Sequence, residues 1–235
     1  MRSSRFPIAV KTPNVLRKYY QSLFDHLGPQ NWWPARTRLE VILGAILVQN
    51  TAWRNAALAM EHLKWGGILG LRGLRKASRK DLENAIRQAG FYRQKADTIL
   101  NFLNWLDLRF DGSLNRLFST EPALLRHELL TIKGFGPETV DTILLYAAKQ
   151  PFFVADAYTR RILARHGLVH LNSSYGGVQE YLHSTLPPDP GLFNEFHALL
   201  VETGKRYCRR REARCRECPL RGFLPGGRPA GMEGP

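Results

Sequence analysis

The chain has 235 residues, 44% hydrophobic and 23% charged, with a formal net charge of +14 and a pI near 10.1. This composition excludes a disordered or low-complexity chain and suits one large or two small domains. The longest apolar stretch, 41–48, is far short of the roughly 20 residues that cross a bilayer. The basic start MRSSRFPIAVKTP leads into no signal peptide, so a cytoplasmic protein without membrane contact is expected, most simply a monomer.

The helical period runs through most of the chain. Leu39, Ile42, Leu43, Ile46 and Leu47 recur at three- and four-residue steps and predict a helix over 37–50. The same pattern predicts helices over 52–64, 81–89, 91–106, 121–131, 137–149, 157–166, 176–185 and 191–207, with Pro187, Pro188 and Pro190 separating the last two. No strand pair or internal repeat stands out, and the Gly/Pro-rich 225–235 reads as a flexible tail. The expected fold is all-α and bipartite. It has a helical domain over 30–136, and a second lobe that joins 1–29 to 137–224.

The positive charge is clustered, which favours a polyanionic partner, duplex DNA above all. Residues 72–80 (RGLRKASRK) carry five bases and no acid, and 205–228 carry nine Lys/Arg against two Glu. The window 132–156, IKGFGPETVDTILLYAAKQPFFVAD, opens on a Gly-x-Gly turn between two helical patterns and closes on a carboxylate, Asp156. Glycines let another backbone come close, and Pro137 suits the first turn of a helix. The N–H groups around Gly134 and Gly136, and those of the new helix, suit a phosphate. Lys133, Gly134, Phe135, Gly136 and Thr139 are therefore candidate DNA contacts. Asp156 is both a candidate helix cap and a candidate catalytic carboxylate.

With its flanks, this window resembles the helix–hairpin–helix, Gly/Pro-rich loop and Asp of the HhH-GPD DNA glycosylase superfamily, in its endonuclease III branch. FYRQKADTI at 91–99 and VADAYTRRI at 154–162 resemble two further family segments. The likeness implies a base-excision-repair enzyme that breaks the bond between a damaged base and deoxyribose. Asp156 falls at the family's catalytic aspartate and would stabilise oxocarbenium character or orient a water. Bifunctional members carry a nucleophilic lysine two residues after the second glycine. Here that position is Glu138, which cannot form a Schiff base, so a monofunctional enzyme is expected. Glu138 is either a helix N-terminal charge or a holder of water or the flipped nucleotide.

NWWPARTRLEVILGAILVQNTAW most resembles the 3-methyladenine DNA glycosylases of endonuclease III type. That implies Trp32, Trp33 and Trp53 as walls for an extruded, alkylated purine, with Gln49 and Asn50 at the helix end that meets DNA. Cys208, Cys215 and Cys218 do not make a disulfide framework. They match three places of the family's C-x6-C-x2-C-x5-C iron–sulfur loop, and the fourth is Leu224. A [4Fe–4S] cluster with a foreign fourth ligand, zinc with an outside ligand, or a loop held by packing all remain open. Lys205 extends the basic face, and His166 and His197 read as structural. The rival functions are a bifunctional enzyme for oxidised pyrimidines, a mismatch-directed thymine or adenine glycosylase, and a DNA-binding protein without catalysis.

Overall fold

The computed structural model describes residues 15–32 and 35–231. Among them there are twelve α-helices, a few short 3-10 turns and no strand. They form two compact units, 35–152 and 15–32 with 153–231.

In the first unit, α2 (Arg38–Leu47) is buried on nearly every side, with Leu39 and all of 41–47 inaccessible. A helix apolar all round belongs in a core, and α2 packs against α3 (Trp53–Trp65), α6 (Tyr92–Phe110) and α9 (Pro137–Tyr146). Thr37 caps α2 by accepting the Glu40 N–H at 3.2 Å, while Glu40 reaches back to the Arg36 N–H at 2.8 Å, a near relative of the capping box. The same unit contains α4 (Leu71–Lys76), α5 (Arg79–Ala85), α7 (Leu114–Phe118) and α8 (Pro122–Leu130). The division between units falls after 152, not after 136 as expected, because α9 packs on α2 and α8 and buries every residue from Thr139 to Tyr146. A bidentate ion pair between Arg126 on α8 and the buried Asp141 on α9 (2.7 and 3.1 Å) fastens the two arms of the hairpin.

In the second unit, α12 (Pro190–Arg206) packs against α1 (Val15–Leu27) and α10 (Ala157–Arg165), with α11 (Tyr175–Thr185) beside them in the chain. Phe153, Phe193 and Phe196 are fully buried together. The tail expected to be flexible is tied down as far as it is described. Ala230 N–H donates to Arg165 O at 2.8 Å, and Leu171 lies against Gly231.

Helices α1, α4 and α7 were not among those predicted. For α1 the signal was present, since Leu16, Tyr19 and Leu23 share one buried face. The basic run of 72–80 is partly neutralised within the fold. Arg75 pairs with Asp107 at 2.5 Å, and Arg79 with Glu83 at 2.8 Å and Asp97 at 2.6 Å, so less of that charge faces a partner than the run implied. No helix among the described residues is long and apolar enough to cross a membrane.

Candidate active site and DNA-facing loops

Three loops of the first unit are drawn together by side chains. Gln49, just past the end of α2, donates through its amide to Gly134 O at 3.1 Å and to Thr139 Oγ1 at 2.8 Å. Asn101 on α6 donates to Lys133 O at 3.1 Å. Lys95, only 2% exposed, places its ammonium on Leu47 O at 2.9 Å and Ala89 O at 2.8 Å. It thereby holds the end of α2 next to the turn before α6. Burial pulls its pKa down to about 8.

The two hairpin glycines differ. Gly134 has φ +102, and a Cβ there would lie 2.3 Å from Thr98 Oγ1, so the fold itself requires glycine. Gly136 has φ −102, and a Cβ there would meet nothing within 4 Å. Nothing in the protein's own packing demands glycine at 136. As the N-cap of α9, Gly136 also brings no side chain to its first-turn N–H groups. Lys133 and Glu138 are exposed.

Phe135, expected among the DNA contacts, is not available for that role. Its ring is 7% exposed and stacks on Phe102 with centroids 6.0 Å apart, and its N–H donates to Ile132 O at 3.0 Å. The middle residue of the turn is thus its anchor in the core. Thr139 is also buried, with its hydroxyl engaged by Gln49. Asn50 is exposed with φ 53.

Sequence reasoning missed Phe91. It is 63% exposed and holds φ 46, a costly backbone for a bulky residue. The signal was Gly90 before it and a polar helix after it, which leaves the aromatic no core to enter. It follows the turn that Lys95 ties to α2. An exposed aromatic on a loop of this kind can stack on bases.

Trp53 begins α3 and lines a cavity of about 330 Å³ with Glu40, Gly44, Ala57 and Met60. Trp33 lies outside the described residues. In the other unit, the Lys205 ammonium sits 4.5 Å above the ring of Trp32. Lys205, read from sequence as an extension of the basic face, therefore covers one face of a candidate stacking wall.

Asp156 is the N-cap of α10, where its Oδ1 accepts the Thr159 N–H at 2.8 Å. Its Oδ2 lies 3.7 Å from Nε2 of His197 on α12. His197, read from sequence as merely structural, is thus the neighbour of the candidate catalytic carboxylate. Burial pushes the Asp156 carboxyl up. The contact with His197, joined by the Thr159 N–H, outweighs that and holds it below the ordinary aspartate value.

The cysteine loop lies beyond α12. Cys208 is buried and its Sγ accepts from Arg165 Nη1 at 3.2 Å. Arg165 also binds Arg209 O at 2.7 Å and Arg210 O at 3.0 Å, while Arg161 binds Cys208 O at 2.7 Å. Burial pushes the Cys218 thiol up to about 11 and that of Cys215 upward. Among the described residues no three ligating side chains are arranged to hold an ion, and Leu224 at the fourth place is apolar and buried. The residues present do not fit a four-thiolate cluster.

Residues 43–188 match the family model described as HhH-GPD superfamily base excision DNA repair protein. The chain is 40% identical over 211 residues to a Methanocaldococcus jannaschii protein named "Putative DNA repair glycosylase MJ1434", covering 89% of this chain and 95% of that one. It is similar to the crystal structure of H. pylori 3-methyladenine DNA glycosylase (MagIII) bound to 1,N6-ethenoadenine, at 27% identity and a TM-score of 0.68, covering 83% of this chain and 98% of that one. Its fold is also that of endonuclease III in a non-covalent DNA complex, with a TM-score of 0.78 at 19% identity and coverage of 92% and 96%.

Proposed function

The chain belongs to the HhH-GPD superfamily of base excision DNA repair proteins, and on that premise we propose that it is a monofunctional DNA glycosylase that hydrolyses the N-glycosidic bond of an alkylated purine in duplex DNA. The observation that carries the reading is Asp156, a buried carboxylate held anionic, with one oxygen committed to the Thr159 N–H. As the base departs with the bonding electron pair, positive charge grows on the sugar. A fixed carboxylate stabilises that charge where water is scarce. Water then adds at the sugar carbon, and its proton leaves through the carboxylate or solvent. An alkylated base is already a good leaving group, so a strong general acid is unnecessary.

The absence of a strand-nicking step rests on Glu138, which cannot form a Schiff base where the bifunctional enzymes carry lysine. Lys133 precedes the turn, and its exposed ammonium suits a phosphate. The N–H groups around Gly134 and Gly136 and at the start of α9 grip the backbone. Gln49 and Phe91 are the side chains suited to the space an extruded nucleotide leaves, once Gln49 exchanges its hairpin bonds for base edges. Trp32, Trp33 and Trp53 supply aromatic faces for the extruded base. No step in this scheme uses a metal or cluster.

The test is base release from defined lesion duplexes, with nicking scored in parallel and borohydride trapping on abasic DNA. Base release without a trapped adduct is expected, and Asp156→Asn should abolish release while keeping DNA binding. A covalent adduct would overturn the monofunctional reading. Full release by Asp156→Asn would overturn the mechanism.

A further inference from the structure

We propose that His197 is a positioning residue for base release: its imidazole, packed in the core beside Asp156, fixes the Oδ2 side of that carboxylate. The inference rests on the reading of Asp156 as the catalytic group.

The geometry is asymmetric. Oδ1 of Asp156 has a short bond from the Thr159 N–H at 2.8 Å, whereas Oδ2 faces His197 Nε2 at 3.7 Å. That separation exceeds a hydrogen bond but lies within ion-pair range. It leaves Oδ2 oriented without being consumed. The two side chains are 7% and 13% exposed, and charges in such surroundings interact far more strongly than in water. A carboxylate buried this deeply without a counter-charge would protonate, and a neutral acid cannot stabilise a developing cation.

The imidazole is itself held. Its ring meets Phe153 edge to face, with centroids 6.4 Å apart at 88°. Phe153 is pinned through its backbone, with its N–H on His183 Nε2 at 2.9 Å and its carbonyl on Gln179 Nε2 at 2.8 Å. Several charged groups on the neighbouring helices are otherwise engaged. Arg161 and Arg165 on α10 are turned to the carbonyls of 208–210. Glu195 on α12 accepts the Gln30 N–H, and Tyr20 on α1 packs on Phe196. Arg160 Nε is buried without a hydrogen-bond acceptor. Among the side chains that act on Asp156, His197 is the one able to carry a positive charge.

Two variants test this. His197→Gln keeps an amide donor without a titratable charge, and His197→Leu removes both. Each is measured for single-turnover base release across pH on a duplex that the wild type processes, for affinity to a duplex holding an uncleavable abasic analogue, and for melting temperature. His197→Leu should lower the rate by about 10–100-fold, the scale of a misplaced catalytic group, with affinity within about twofold. His197→Gln should recover part of that rate and move the acid limb to higher pH. Wild-type rates in a folded His197→Leu would overturn the proposal. So would an unchanged acid limb in His197→Gln, which also decides the matter if His197→Leu does not fold. If the wild type releases no base from any lesion, the glycosylase reading fails first. NMR titration of the Asp156 carboxyl then still tests the pair, since His197→Gln should raise its pKa and an unchanged value would refute the coupling.

Discussion

Alanine at each hairpin glycine should separate folding from DNA binding. At Gly134 the backbone is left-handed, with φ +102, and an added Cβ would lie 2.3 Å from Thr98 Oγ1 and 2.8 Å from Thr98 Cγ2. Thr98 cannot easily swing aside, since it is 6% exposed and its hydroxyl is bound to Gln94 O at 3.0 Å. A left-handed residue with a Cβ costs about 1–2 kcal/mol and an overpacked contact about 1–3 kcal/mol. Gly134→Ala should therefore lose roughly 2–5 kcal/mol, a fall in Tm on the order of 10 °C for a chain of this size. Gly136 has an ordinary φ of −102 and open space around its Cα. Gly136→Ala should stay within about 0.5 kcal/mol of the wild type. Its new methyl group would nevertheless stand where a phosphate must approach the N–H groups, and a loss of about tenfold in duplex affinity is expected, equivalent to ~1.4 kcal/mol. Thermal melts and fluorescence anisotropy at several salt concentrations measure both. The reasoning fails if Gly136→Ala melts as early as Gly134→Ala, or if it binds duplex DNA like the wild type.

The cysteine loop predicts a chain that purifies with iron well below one cluster per molecule and no absorbance band near about 400 nm, even when iron and sulfide are supplied during expression. Stoichiometric iron would show that three thiolates and a borrowed ligand suffice. The Asp156 carboxyl predicts a pH signature with a definite sign. Because its folded pKa is depressed, its contribution to stability is complete above the ordinary aspartate value of about 3.9 and is lost as pH falls through the lower folded value. Urea unfolding at acid pH should show a shallower decline for Asp156→Asn than for the wild type, and parallel declines would mean that the carboxylate is not held by its neighbours.

The helical period made most of this fold legible, because burial repeats along a helix in a way that one sequence records. The helix predicted over 157–166 begins at Ala157 with Asp156 as its cap, and α9 starts at Pro137 as its turn chemistry required. What stayed hidden depends on partners distant in the chain. The sequence shows that Phe135 lies between two glycines, which marks it as a DNA contact, but not that Phe102 receives its ring. It shows five bases in 72–80 but not that Asp107 and Asp97 wait for two of them. His197 carries no local mark at all, for its meaning comes from the packing of α12 on α10. Local periodicity therefore locates the carboxylate, while its ionisation is set by a side chain that only the tertiary packing identifies. Burial alone would push the Asp156 carboxyl up, and the contact with His197, joined by the Thr159 N–H, reverses that direction.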